Sequence, residues 1–182
     1  FDQLEIFQRK GKRSIKSDFY SIHQIKSIKK TILPTVRDDI KKITSKRKSI
    51  LGLKFQNPQI MGVLNITPDS FSDGGLYFKE SKAYRQAKLM IENGAKIIDV
   101  GGESTRPGSK TVNEVNEWKR IKNVIIKIKK NFSTVLLSLD TRKSFVMNKG
   151  IENGADIIND VSGLNFDKKS FSTINSKKTP FI

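Results

Sequence analysis

The chain has 182 residues, 36% of them hydrophobic, with a formal net charge of +17, one histidine and no cysteine. That length suffices for one domain with a sizeable core, and no apolar run approaches the roughly 18 residues of a membrane helix. The composition excludes disulfides and thiolate metal sites, rules out a multi-histidine metal centre, argues against a Ser-His-Asp triad built on the lone His23, and suits a reducing cytoplasm.

Residues 1–57 hold 15 Lys/Arg against 5 Asp/Glu. Such a segment can bind nucleic acid or an anionic membrane surface. Here Lys dominates over Arg and aromatic residues do not interleave regularly, so it reads as a basic N-terminal extension with a solvated, Lys-biased surface. Apolar residues are scattered in it, Pro34 interrupts any long helix, and one or two short helices are expected. Residues 58–182 form the second part and are regular from Pro58 onward. Ile60–Leu64 reads as an apolar strand. Glu80–Asn93 carries Ala83, Ala87 and Met90/Ile91 at helical spacing, with Gly94 as its C-terminal cap. Lys96–Val100 is a second strand. Thr111 to Glu114 fits a capping box, and Val115, Trp118, Ile121, Ile125 and Ile128 continue as a helix stripe. Val135–Leu139 is a third strand, Ser144–Asn153 a short helix and Asp156–Asn159 a fourth strand. A further helix precedes Pro180-Phe181-Ile182, where a fifth strand begins.

An internal echo supports this order. ENGAKIIDVGG, Glu92–Gly102, recurs sixty residues later as ENGADIINDVSG, Glu152–Gly163. Strands alternating with helices imply parallel pairing with right-handed crossovers, and continuous apolar runs suit strands buried on both faces. A barrel and an open doubly wound sheet both satisfy the pattern. In either, ligands sit at the carboxyl ends of the strands, where this chain places Asn65, Asp99, Asp140, and Asn159 with Asp160.

No G-x-x-x-x-G-K-[ST] occurs, and no G-x-G-x-x-G follows a strand. The chemistry lies in four strand-end segments: NITPDSFSDGG, DVGGESTRPGS, SLDTRKS and IINDVSG. In the second, a Gly pair permits close backbone approach, Ser104 and Thr105 offer hydroxyls, and Arg106 offers a forked cation beside the Pro107-Gly108 turn. That set suits a phosphate or carboxylate; a turn whose Arg caps a neighbouring acid explains it equally well. Asp140 and Asn159, a carboxylate and an amide on neighbouring strands, match a flat heterocycle with N–H donors and acceptor atoms. Each alone would be an ordinary strand-end turn residue, but four consecutive strands ending this way favour a site.

Taken together, MGVLNITPDSFSDGG, IIDVGGESTRPGS, SLDTRKS and GADIINDVSG resemble the N-terminal half of dihydropteroate synthase, a transferase of bacterial folate biosynthesis, over about residues 58–182. The resemblance implies a (β/α)8 TIM barrel, here truncated to about the first four βα units. It implies condensation of 6-hydroxymethyl-7,8-dihydropterin diphosphate with 4-aminobenzoate to give 7,8-dihydropteroate and diphosphate, with Mg2+ as cofactor. By motif match, Asn65 would serve the Mg2+–diphosphate site and Thr105 the diphosphate substrate. Asp140 and Asn159 would hold the pterin ring, with Asp99 beneath or facing it. Arg106 would organise the reacting centre and Pro107 would lie near the aminobenzoate, under the closing loops Thr67–Gly75 and Ser104–Ser109. The family's second half carries another pterin-binding Asp, a Lys, an Arg-x-His and the C-terminal helices of a homodimer. None is found up to Ile182, so the chain alone is expected to be inactive. The alternatives are another pterin-binding barrel, such as a methyltetrahydrofolate methyltransferase, which lacks the ESTRPG and SFSDGG signatures, or a basic nucleic-acid-binding protein driven by residues 1–57.

Overall fold

Short apolar runs separated by amphipathic stretches are satisfied when parallel strands carry their connecting helices packed against the sheet. The computed structural model describes residues 1–11, 14–46, 49–67, 76–104 and 108–182. It divides the chain into two compact units, Phe1–Arg47 and Lys48–Ile182.

In the first unit, β1 (Gln3–Lys10) and β2 (Ser14–Ser21) form an antiparallel hairpin in register from Gln3 opposite Ser21 to Lys10 opposite Ser14. Gly11 opens the turn at φ +69°, a left-handed conformation that costs glycine little. A 3-10 helix, Ile22–Ser27, and α1 (Leu33–Thr44) follow. The helices agree with the sequence, whereas the hairpin is a correction: its strands, QLEIFQRK and SIKSDFYS, are mostly polar and too irregular in alternation to read as strands. Pro34 stands in the first turn of α1, where its missing N–H leaves no helix bond unmade.

The second unit consists of β3 (Met61–Asn65), α2 (Leu76–Glu92), β4 (Ile97–Gly101), α3 (Glu114–Asn131), β5 (Leu136–Asp140), α4 (Ser144–Glu152), β6 (Ile157–Asn159) and α5 (Ser170–Lys177). The four strands pair in parallel in chain order, β3-β4-β5-β6, with no reversal of direction across the sheet. Beyond β6, Phe181 bridges Ile158 in parallel, with Ile182 N–H donating to the Ile158 carbonyl at 2.9 Å, so the expected fifth strand begins there.

The sheet face carrying Leu64, Ile98, Val100, Leu137, Leu139 and Ile158 is fully buried. It shares one core cluster with Ala83 and Ala87 of α2, Trp118, Ile121, Val124, Ile125 and Ile128 of α3, and Val146 and Met147 of α4. Burial on both faces holds for β4, all of whose residues are buried. It fails for β3, where Met61 and Val63 are 36% and 53% exposed, because β3 is the edge strand of this sheet. The sequence echo is a structural one. Gly94 and Gly154 both sit at φ +101°, and Ala95 and Ala155 donate back to the carbonyls of Met90 and Gly150 at 3.0 and 2.9 Å. Both helices therefore end in the same glycine-dependent cap. The capping box at Thr111–Glu114 is corrected: Asn113 is the N-cap of α3, its side chain accepting from Val115 N–H at 2.9 Å, and Val115 itself is exposed. No helix among the described residues is long and apolar enough to cross a membrane.

Candidate functional site

Each strand of the second unit passes from apolar to polar at its carboxyl end, and the parallel register turns those ends into a row. Asn65 pairs with Gly101, Gly101 with Asp140, and Asp140 with Asn159. One step earlier, Val63, Asp99, Ser138 and Ile157 form the row beneath. Side chains in both rows project from the face opposite the helices, because residues two apart on a strand share a side.

Gly101 makes the upper row a shallow cradle. A Cβ at this position would lie 3.1 Å from Asn65 Oδ1 and 3.3 Å from Asp140 Oδ2, so its absence leaves the two oxygens flanking an open backbone. Asn159 donates from Nδ2 to Asp99 Oδ2 at 3.0 Å, which fixes the amide between the rows and leaves its carbonyl oxygen for another donor. The second Asp99 oxygen and the Ser138 hydroxyl are buried without a hydrogen-bond partner among the described residues. Orphaned buried groups carry a desolvation cost, and here they lie directly under the row.

Asp140 holds its proton unusually tightly. Burial, then the negative charges of Asp99, Glu117, Asp160 and Glu103, pushes its pKa from 3.8 up to about 6. A carboxylate in that state is an acceptor in need of donors, and a ligand presenting N–H groups would supply them.

The structure thus brings Asn65, Asp140 and Asn159 together in one row with Asp99 below. Thr105, Arg106 and Pro107, and all but the start of the loop Thr67–Gly75, lie outside the described residues. Asp160, named with Asn159 as a strand-end polar residue, turns elsewhere: its oxygens accept from the backbone N–H groups of Ser162 and Leu164 at 2.8 and 3.1 Å, closing its own turn.

Sequence reasoning missed a second cluster. Lys143 Nζ donates to Glu103 Oε2 at 2.8 Å and to Glu117 Oε2 at 2.5 Å, and the Thr141 hydroxyl donates to Glu117 Oε1 at 2.6 Å. Glu103, Glu117 and Lys143 are all buried. One signal was available: Glu117 falls on the apolar stripe of α3, four residues before Ile121.

The profile of the pterin binding enzymes matches residues 61–182. The dihydropteroate synthase of Streptococcus pyogenes serotype M1 is 48% identical over 126 residues, which cover 69% of this chain and 47% of that protein. A crystal structure of dihydropteroate synthase from Clostridium difficile, obtained in the presence of pteroic acid, aligns with a TM-score of 0.67 at 42% identity, covering 69% of this chain and 48% of the other. The Xanthomonas albilineans dihydropteroate synthase with 4-aminobenzoic acid aligns with a TM-score of 0.68 at 36% identity, covering 75% and 51%. The chain spans about half the length of the relatives it matches. A profile match over well over half the chain, reaching from the first residue of β3 through every strand of the row, makes this chain a member of the pterin binding enzyme family.

Proposed function

We propose that residues 58–182 are the N-terminal part of a dihydropteroate synthase (β/α)8 barrel, with residues 1–57 an extension ahead of it. The observation that carries the reading is the row Asn65–Gly101–Asp140–Asn159, in a chain 48% identical over 126 residues to a dihydropteroate synthase. The unreversed order of the four parallel strands supports the barrel over a doubly wound sheet, which reverses at its switch point.

In this reading the pterin ring lies along the row. Asp140 accepts ring N–H donors, and Asn159, steadied by Asp99, meets the ring with its amide. Asn65 stands at the far end of the row, towards the diphosphate, with Thr105 and Arg106 in the loop after β4 and Pro107 near the aminobenzoate. The 4-aminobenzoate nitrogen forms a C–N bond to the pterin methylene as the C–O bond to diphosphate breaks. The amine gives up a proton and diphosphate leaves with the bonding pair. The electron-rich ring lends the methylene cationic character in the transition state. Catalysis is then mainly orientation of the amine and stabilisation of the departing charge.

Among the described residues no group of three or more His, Cys, Asp or Glu could enclose a metal. The amide oxygen of Asn65 is a hard donor that suits Mg2+, an ion that commonly takes one or two protein ligands and fills its shell with water and substrate phosphate. When bound, Mg2+ would neutralise charge on the leaving diphosphate.

The test is the full natural protein with both substrates and Mg2+, read by diphosphate release and dihydropteroate formation. Turnover is expected. A protein that binds pterin but releases no diphosphate from this pair would refute the proposed reaction.

A further inference from the structure

Buried charges are costly, and a buried ion pair is weak evidence for stability, because desolvation consumes much of the attraction. The Glu103–Lys143–Glu117 cluster sits on the helix side of the strand ends, outside the row that faces the ligand. Its connections span separate chain segments. Glu103 Oε1 accepts from Val112 N–H at 2.7 Å, and the Ser109 hydroxyl donates to the Ser104 carbonyl. The β4–α3 connection is therefore pinned twice, once across residues 103 and 112 and once across 104 and 109. The other Glu103 oxygen receives Lys143 at 2.8 Å and Arg142 at 3.2 Å, from the segment that directly follows Asp140. Lys143 reaches on to Glu117 in α3, and the Arg142 guanidinium lies 4.1 Å from the centre of the Phe166 ring in the β6–α5 connection. Three chain segments meet at one carboxylate and one ammonium, and the Arg142 guanidinium ties in a fourth through Phe166.

We propose that Glu103 is a positioning residue, tying the start of the β4–α3 connection to Val112 near its end and, through Lys143, holding both in fixed relation to the strand end that bears Asp140. This role rests on the reading of the site given above, in which that loop presents Thr105 and Arg106 to the diphosphate. Burial alone would raise the Glu103 carboxyl, but the hydrogen bonds from Lys143 and Val112 hold it below the ordinary range, so it stays an ionised acceptor. Glu103 touches neither substrate. Its effect on the reaction comes from where the loop stands when the diphosphate leaves, and misplacement by about 1 Å can cost about 100-fold in rate.

The experiment compares Glu103→Gln, Glu103→Ala and Lys143→Arg in the full natural protein. Glu103→Gln keeps the shape and an acceptor for Val112 but turns a donor group towards Lys143. It should lower kcat about 10- to 100-fold and leave KM for the pterin diphosphate within about threefold. Lys143→Arg keeps the cation and should retain most of the rate. Glu103→Ala should speed hydrogen exchange at the Val112 amide about tenfold or more, while the amides of Leu137 and Leu139 in β5 keep their protection. A kcat for Glu103→Gln equal to wild type, or a loss accompanied by equal deprotection of β5, would overturn the proposal. Wild-type protein without turnover would refute the assigned reaction instead. The exchange arm would then still decide the tie between Glu103 and Val112, since unchanged Val112 protection in Glu103→Ala refutes it.

Discussion

Replacing Asp140 by Asn should make this chain more stable near neutral pH while damaging its proposed site. The side chain lies in the row with Gly101 and Asn159, half-buried, among the charges of Asp99, Glu117, Asp160 and Glu103. Its folded pKa of about 6 stands above the ordinary 3.8. The folded state therefore binds the proton more tightly than the unfolded state, and unfolding releases it. Stability falls as pH rises from about 4 to about 6 and is level beyond that window on either side. Two units correspond to about 3 kcal/mol, and the remaining solvent exposure reduces this to about 1–2 kcal/mol. Asn is neutral at every pH, so Asp140→Asn should gain about 1–2 kcal/mol at pH 7.5 and almost nothing at pH 4. Urea denaturation of both proteins at the two pH values measures the difference. Equal stability at pH 7.5, or a gain of the same size at pH 4, would refute the account of Asp140 as a strained carboxylate awaiting a ligand. The same substitution should weaken pterin binding by about 1.5–3 kcal/mol, the scale of a hydrogen bond to a charged acceptor, and wild-type affinity should decline as pH falls below about 6. Strain tolerated at a binding site commonly takes this form, in which a stabilising change costs function.

Asn65→Ala should weaken Mg2+-dependent binding of a diphosphate-bearing pterin more than binding of a pterin without diphosphate, both read by calorimetry in the full natural protein. Equal losses would reduce Asn65 to a loop-shaping role. Ile125→Ala, at a fully buried position in the α3 stripe, should cost about 2–5 kcal/mol in urea denaturation without shifting the pH dependence of stability. A loss below about 1 kcal/mol would mean that α3 does not anchor this core.

By itself, the sequence determined whatever depends on local pattern. Apolar runs of about five residues fixed the strands, helical spacing fixed α2 and α3, and Gly94 and Gly154 fixed the matching caps, since only glycine adopts φ near +100° without strain. The row residues were legible because each stands where an apolar run meets polar residues, which is where parallel α/β folds build sites. The hairpin of residues 3–21 was not legible, because its strands carry no sustained alternation and are held by cross-strand pairing. The N-cap of α3 was misplaced by two residues, since Thr111 and Asn113 are both chemically able to cap and the path of the chain out of the β4 loop selects one. Only the tertiary structure decided that Asn65, Gly101, Asp140 and Asn159 share one register. It alone turned Asp160 into its own turn and brought Lys143 to within 2.8 Å of Glu103, 40 residues away in sequence. The raised pKa of Asp140 has the same origin: it sums burial and four charges from separate chain segments, and electrostatic energy depends on distance in space, which no stretch of sequence contains.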